Sequence, residues 1–265
     1  MTWVVGMPTV FGNCIGLADI QATITFPDGR KEYHDCVRKI YAVGNCMAAG
    51  FSGSIKIGFD LIDDLQQMLA TEKKEVKWDP NKAALQWKQH AQQIYEKQER
   101  KSPTSILILG IFPKLEPGID RTFGCIMRSP DFEVRPFSYG NVASIGSGND
   151  VEEYISYLNE MNKTVYHPIM QLEVGNPGGY SRAFGFELTM QMKKKRADGI
   201  SLHLHHCTVF PYRIIIDTND YTFTPDDESP ITEFIMPKYR PVQSHKKYCK
   251  LFGCVADGRC RIIHS

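Results

Sequence analysis

The stretch Val37-Arg38-Lys39-Ile40-Tyr41-Ala42-Val43-Gly44-Asn45-Cys46-Met47-Ala48-Ala49-Gly50-Phe51-Ser52-Gly53-Ser54 decides the fold. Val37 to Val43 and Cys46 to Phe51 read as two strands turned at Gly44-Asn45, residues that tolerate the backbone angles of a tight hairpin. Ser54 follows as a helix cap. Behind it, Ile55, Phe59, Ile62, Leu65 and Leu69 recur at steps of three and four and share one helical face. Strand pairing therefore precedes any helix, unlike the strict alternation that builds a parallel sheet.

Upstream, Thr2 to Gly6 and Cys14 to Ile20 read as strands joined by a turn at Phe11-Gly12-Asn13. Gly16 and Ala18 leave the second strand thin, as a closely approaching layer requires. A polar hairpin tip lies at Pro27-Asp28-Gly29. Downstream, a second helix is expected from about Asn81 to Arg100, with Trp87, Ala91, Ile94 and Tyr95 on one side. Ser105 to Phe112 returns to strand, and Thr122 to Met127 pairs with Phe132 to Phe137 through Ser129-Pro130-Asp131. Asp150 opens another helix, carrying Val151, Tyr154, Ile155, Leu158 and Met161. Asn162 to Gly179 reads as an irregular connection, and a helix from about Tyr180 to Arg196 follows. Its terminal run Lys193-Lys194-Lys195-Arg196 is a solvated last turn that complements the helix dipole. The last strands are Leu202 to Val209 and Arg213 to Ile216, turned at Phe210-Pro211. Strands, two helices, strands, two helices, strands is an α+β order: two facing sheets with helices outside.

With 265 residues, 42% hydrophobic and 23% charged, the chain is an ordinary globular protein with a sizeable core. A net charge of +1 makes no electrostatic case for nucleic acid or an anionic membrane. No stretch approaches the length of a membrane span and no basic leader precedes Pro8, so the expected compartment is the cytoplasm. Cys14, Cys36, Cys46, Cys125 and Cys207 read as small buried thiols, since nothing supports a disulfide framework.

Chemistry is concentrated in a few polar residues. In Met1-Thr2-Trp3, removal of Met1 would give Thr2 a free α-amine able to accept the proton of its own hydroxyl, so nucleophile and base share one residue. Asp19 ends the thin second strand, where an Asp is usually a turn residue. Lys39 occupies a segment that otherwise reads as strand, where a lone Lys normally faces solvent on an edge; pointing inward beside Asp19, it would instead form an ion pair whose positive end depresses the pKa of nearby groups. Gly53 lies in a small-residue turn at a helix start, where backbone N–H groups are free to bind developing negative charge. Ser147 sits in Gly146-Ser147-Gly148, and Asp198-Gly199-Ile200-Ser201 links a helix to a strand.

In this order and spacing, these segments resemble the proteasome β-subunit family, including the bacterial HslV-type peptidases, within the Ntn-hydrolase superfamily. The resemblance covers Thr2 to about Asp217. It implies a four-layer αββα sandwich of two facing antiparallel sheets. Thr2 stands where the family has its nucleophile, Asp19 and Lys39 where it has the active-site acid and lysine, and Gly53 where an amide forms the oxyanion hole. Ser147 matches the serine of the family's Gly-Ser-Gly, and Asp198 and Ser201 match the pair that holds the threonine amine. Ala22, Val37, Phe51 and Ile55 are then expected to line an apolar substrate pocket. Two departures stand out: Leu202 replaces a typical Gly, and the Asn162 to Gly179 connection is long.

The resemblance implies a threonine-type endopeptidase without cofactor, acting on unfolded polypeptide inside a homo-oligomeric ring and leaving room for an ATP-dependent unfoldase. Only Met1 precedes the nucleophile, as in the HslV type, so maturation would need only an aminopeptidase. Two rival readings use the same residues: an Ntn amidohydrolase of a small amide, and a noncatalytic ring scaffold that keeps Met1. Residues 1–217 form the expected catalytic domain and 218–265 a C-terminal extension suited to subunit or partner contact. Within it, His245, Cys249, Cys254, Cys260 and His264 supply enough ligands for zinc, although no Cys-x-x-Cys pair occurs and reduced packing thiols are the simpler reading.

Overall fold

The structure is a computed structural model, and it describes residues 2–9, 11–44, 46–71, 79–112, 121–137, 140–164, 177–211 and 213–216. Within these, the chain is a mixed α+β protein with antiparallel sheets and four α-helices. Met1, Asn45, most of the connection after Asn162 and the whole of 218–265, with its candidate zinc ligands, lie outside the described residues.

One five-stranded sheet holds β1 (Trp3–Pro8), β2 (Cys14–Asp19), β10 (Ala143–Gly146), β11 (Leu204–Phe210) and β12 (Arg213–Ile216), in the order β10-β1-β2-β11-β12. The other runs β5-β6-β7-β8-β9, from β5 (Ile40–Gly44), β6 (Met47–Ser52), β7 (Ser105–Ile111), β8 (Thr122–Arg128) and β9 (Arg135–Phe137). A separate hairpin, β3 (Gln21–Thr25) with β4 (Lys31–Asp35), closes at Gly29, whose φ of 85° suits a residue without a side chain. The helices are α1 (Ile55–Thr71), α2 (Pro80–Glu96), α3 (Glu152–Thr164) and α4 (Pro177–Lys194). No helix among the described residues is long and apolar enough to cross a membrane.

Strand periodicity explains why β1 and, after Ser105, β7 carry no polar side chain. Trp3, Val5 and Met7 join a cluster with Tyr154, Leu158, Phe184 and Leu188 of α3 and α4, whereas Val4 joins Ala18, Ile40, Ala48, Leu107 and Leu109. Ile106 and Ile108, on the opposite side of β7, pack with Leu61, Leu65 and Trp87 of α1 and α2. Both strands are therefore buried on two faces. Gly16 is thin for a reason: a Cβ there would lie 2.3 Å from Ile40 Cδ1.

Local differences from the expected boundaries have local causes. Phe132 does not extend β9; its φ is 44° and its ring packs edge-on to Tyr95, 5.8 Å away, so the strand begins only at Arg135. Helix α2 ends at Glu96 rather than Arg100, because Gln98 folds back onto Asp60 Oδ2 and Ile94 O and offers no apolar side to the core. The strand β10, to which the sequence reading assigned no strand, pairs with β1 in the register Trp3↔Gly146 and Val4↔Ile145.

Candidate functional site

Thr2 is 5% exposed at the head of β1, and the 3-10 turn Ser147–Asp150 after β10 folds over it. Its N–H donates to Ser147 Oγ at 2.9 Å, while the Thr2 carbonyl accepts from Gly148 N at 3.3 Å and Ser147 Oγ at 3.4 Å. The flanking glycines make this approach feasible. Gly146 has φ 97° and a Cβ there would lie 2.1 Å from Thr2 O; one at Gly148 would meet the Trp3 ring at 2.2 Å. Trp3 is fixed in turn by stacking on Tyr154, with ring centroids 4.6 Å apart.

Asp19, fully buried at the end of β2, holds the next peptide. Its Oδ2 accepts from Trp3 N at 2.6 Å, and its Oδ1 accepts from Lys39 Nζ at 2.8 Å and Gln21 N at 2.9 Å. Lys39 Nζ also donates to Gln21 O at 2.7 Å. Lys39 is 1% exposed, so its ammonium has left water and is compensated by one carboxylate and one carbonyl. Burial holds its pKa below the ordinary lysine value, with the charge and hydrogen bond of Asp19 pulling the other way. A single carboxylate thus couples a cation to the residue after Thr2.

A cleft of about 400 Å³ opens beside Thr2. Gln21, Ala22 and Thr23 of β3 form one wall; Gly53, Ser54, Ile55 and Lys56, with Ser102, form the other. Gly53 has φ 101°, and a Cβ would meet Pro103 O at 2.1 Å, so backbone geometry alone demands glycine there. Its N–H makes no hydrogen bond with the described residues, which leaves a donor at the cleft. Ser54 opens α1, where Ile57 N reaches Ser54 Oγ at 3.4 Å.

The other expected site residues divide. Of the four assigned to an apolar pocket, Ala22 and Ile55 line the cleft, but Val37 and Phe51 do not. Those two are 0% and 1% exposed: Phe51 lies edge-on to Phe59 and against Gly58, where aromatic packing has already filled the space. Ser201 is 2% exposed and its N–H points to Asp19 Oδ1 at 3.5 Å, a long contact. Asp198 is exposed and forms no hydrogen bond or ion pair with Ser201 or Thr2, because the turn at Gly199 carries it outward while Ile200 goes into the core. Ser201 Oγ donates instead to Asp35 Oδ2 at 2.7 Å, a partner that sequence reasoning missed. Among the described residues no group of His, Cys, Asp and Glu is arranged to hold a metal ion. Comparison of the sequence with protein-family models and with curated proteins finds no match to either.

Proposed function

We propose that the chain is an N-terminal-threonine endopeptidase of a proteasome-like, self-compartmentalising ring, cleaving peptide bonds of unfolded polypeptides once the Met1–Thr2 bond is removed. The observation that carries this reading is the hold on the Thr2–Trp3 segment: Thr2 N on Ser147 Oγ, Trp3 N on Asp19 and Asp19 on the buried Lys39, beside an open cleft. In a peptide, the Thr2 nitrogen is an amide and cannot accept a proton. Cleavage turns it into an α-amine with an ordinary pKa near ~7.7 to 8, within reach of Ser147.

The chemistry follows from these positions. Thr2 Oγ attacks the substrate carbonyl, and the amine, relayed by Ser147, takes the hydroxyl proton and returns it to the leaving amine. Lys39 keeps positive potential beside the nucleophile. The Gly53 N–H faces the developing oxyanion, a type of donor worth about 3 kcal/mol in other hydrolases. Water then resolves the acyl-enzyme. The four-layer αββα order belongs to the same proposal and is supported by the cluster that Val4, Leu107 and Leu109 share between the two five-stranded sheets.

Cleft composition refines the substrate. Among the described residues that line it, Lys56 is the only ionisable side chain, alongside the hydroxyls of Thr23, Ser54 and Ser102 and the amide of Gln21. Such a surface favours polar or acidic substrate side chains over the apolar ones expected from sequence. Two measurements test the function. Intact mass of the purified native protein is expected to show loss of Met1, and uniform retention would sink the reading. Thr2→Ala is expected to abolish peptide hydrolysis and labelling by a threonine-directed inhibitor while leaving the fold intact.

A further inference from the structure

We infer that Asp35 is the positioning carboxylate of this site: it orients Ser201 and the Gln21 wall of the cleft against the Asp19–Lys39 pair, in the place that the family resemblance implied for Asp198. The inference rests on the threonine-peptidase reading. Asp35 ends β4 and stands opposite Gln21 in the β3–β4 register. Its Oδ1 accepts from Gln21 Nε2 at 2.9 Å and its Oδ2 accepts from Ser201 Oγ at 2.7 Å. The same Ser201 Oγ accepts from His203 N at 3.0 Å, so its hydroxyl both donates and accepts and is held in one orientation. His203 Nε2 lies 3.8 Å from Asp35 Oδ2, and its side chain is only 5% exposed.

Two routes run from Asp35 to the ion pair. Through Gln21, whose carbonyl accepts from Lys39 Nζ and whose N–H donates to Asp19, Asp35 steadies both charges. Through Ser201, whose N–H faces Asp19 Oδ1, it steadies the segment leading into β11. Asp35 does not line the cleft, so it acts through these residues and not on substrate. Its charge also reaches the pair directly: it favours the Lys39 ammonium against the desolvation that opposes it. The ionisable groups around Asp35 are therefore His203, Lys39 and Cys36, and the Cys36 thiol is pushed up by burial first and by Asp35 second.

The test compares wild type, Thr2→Ala, Asp35→Asn, Asp35→Ala and Asp198→Asn on a peptide substrate, with pH profiles of kcat and thermal unfolding of each variant. Asp35→Ala is expected to lower kcat about 100-fold with KM changed little, the usual cost of lost positioning. Asp35→Asn keeps an acceptor for Ser201 and loses less. Removing the carboxylate charge leaves Lys39 easier to deprotonate, so its alkaline limb moves to lower pH. A merely structural Asp35 would leave that limb in place. Wild-type kcat in folded Asp35→Ala, an unmoved limb in Asp35→Asn, or an equal loss in Asp198→Asn would each overturn the inference. Should Asp35→Ala fail to fold, the isosteric Asn variant and its limb decide alone. A wild type without Thr2-dependent hydrolysis would overturn the peptidase reading and this inference together, whereas an active wild type with indifferent Asp35 variants overturns this inference only.

Discussion

Two lysine–carboxylate pairs use the same chemistry in opposite surroundings. Lys39 meets Asp19 at 2.8 Å with side chains 1% and 0% exposed, whereas Lys88 of α2 meets Glu133 with 27% and 53% exposed. At the surface, water screens the attraction and two long side chains lose rotamer freedom, so little stability results. In the interior the desolvation cost is large, and it dominates the Lys39 pKa even against Asp19. That cost is offset only because backbone groups of Trp3 and Gln21 complete the hydrogen bonding of both charges. An apolar pair of similar volume would stabilise the fold as well. The buried pair is therefore explained by what it organises, the backbone at Thr2–Trp3, whereas the surface pair ties α2 to Glu133 in front of water.

The contrast is sharpest in mutants that leave one charge alone. Lys39→Ala strands the Asp19 carboxylate in the core and is expected to cost about 3–5 kcal/mol in denaturant unfolding, with hydrolysis lost. A cost below ~1 kcal/mol would place it in the class of Lys88 and break the comparison. Next comes Gly146→Ala, which combines a positive φ with a backbone collision at Thr2 O. It should cost about 1–3 kcal/mol and reduce turnover, readable from the same two assays.

The pH profile sharpens the comparison without mutation. Because burial lowers the Lys39 pKa, its ammonium is lost as pH rises through a value below that of free lysine, and activity should fall with it. An alkaline limb at or above the ordinary lysine value would contradict this. Lys56→Glu reverses the one ionisable charge among the described residues of the cleft and should lower kcat/KM for acidic peptides several-fold while raising it for basic ones; an unchanged ratio would remove Lys56 from specificity. Last, Lys88→Ala should cost less than about 1 kcal/mol and leave hydrolysis as it was.

Much of this organisation is local and so was legible in the residues. The apolar runs of β1 and β7, the Ser54 start of α1 and the glycine turns follow from residue type, capping and φ preference within a few positions. Asp19, Lys39 and Ser147 were singled out together through the family resemblance; in the fold, Ser147 and Asp19 bond the Thr2–Trp3 backbone, and Lys39 joins through Asp19. Where the reading missed, the decisive contact was long-range. Asp35 ends the polar run Lys31-Glu32-Tyr33-His34-Asp35, which looks like a solvated hairpin edge, and its partner Ser201 is 166 positions away.

The remaining differences are matters of direction in space. Val37 and Phe51 have the apolar character of pocket residues, but only the packing of Phe51 against Phe59 and Gly58 determines that they fill the core and leave a polar cleft in front. Asp198 and Asp35 are chemically identical, and the turn at Gly199 sends one to solvent while strand register carries the other to Ser201. Residue type specifies which groups can donate, accept or carry charge, because those are properties of single side chains. Which of them meet is settled by the pairing of strands and the close packing of the core, where a shift of one position or one rotamer replaces one neighbour by another.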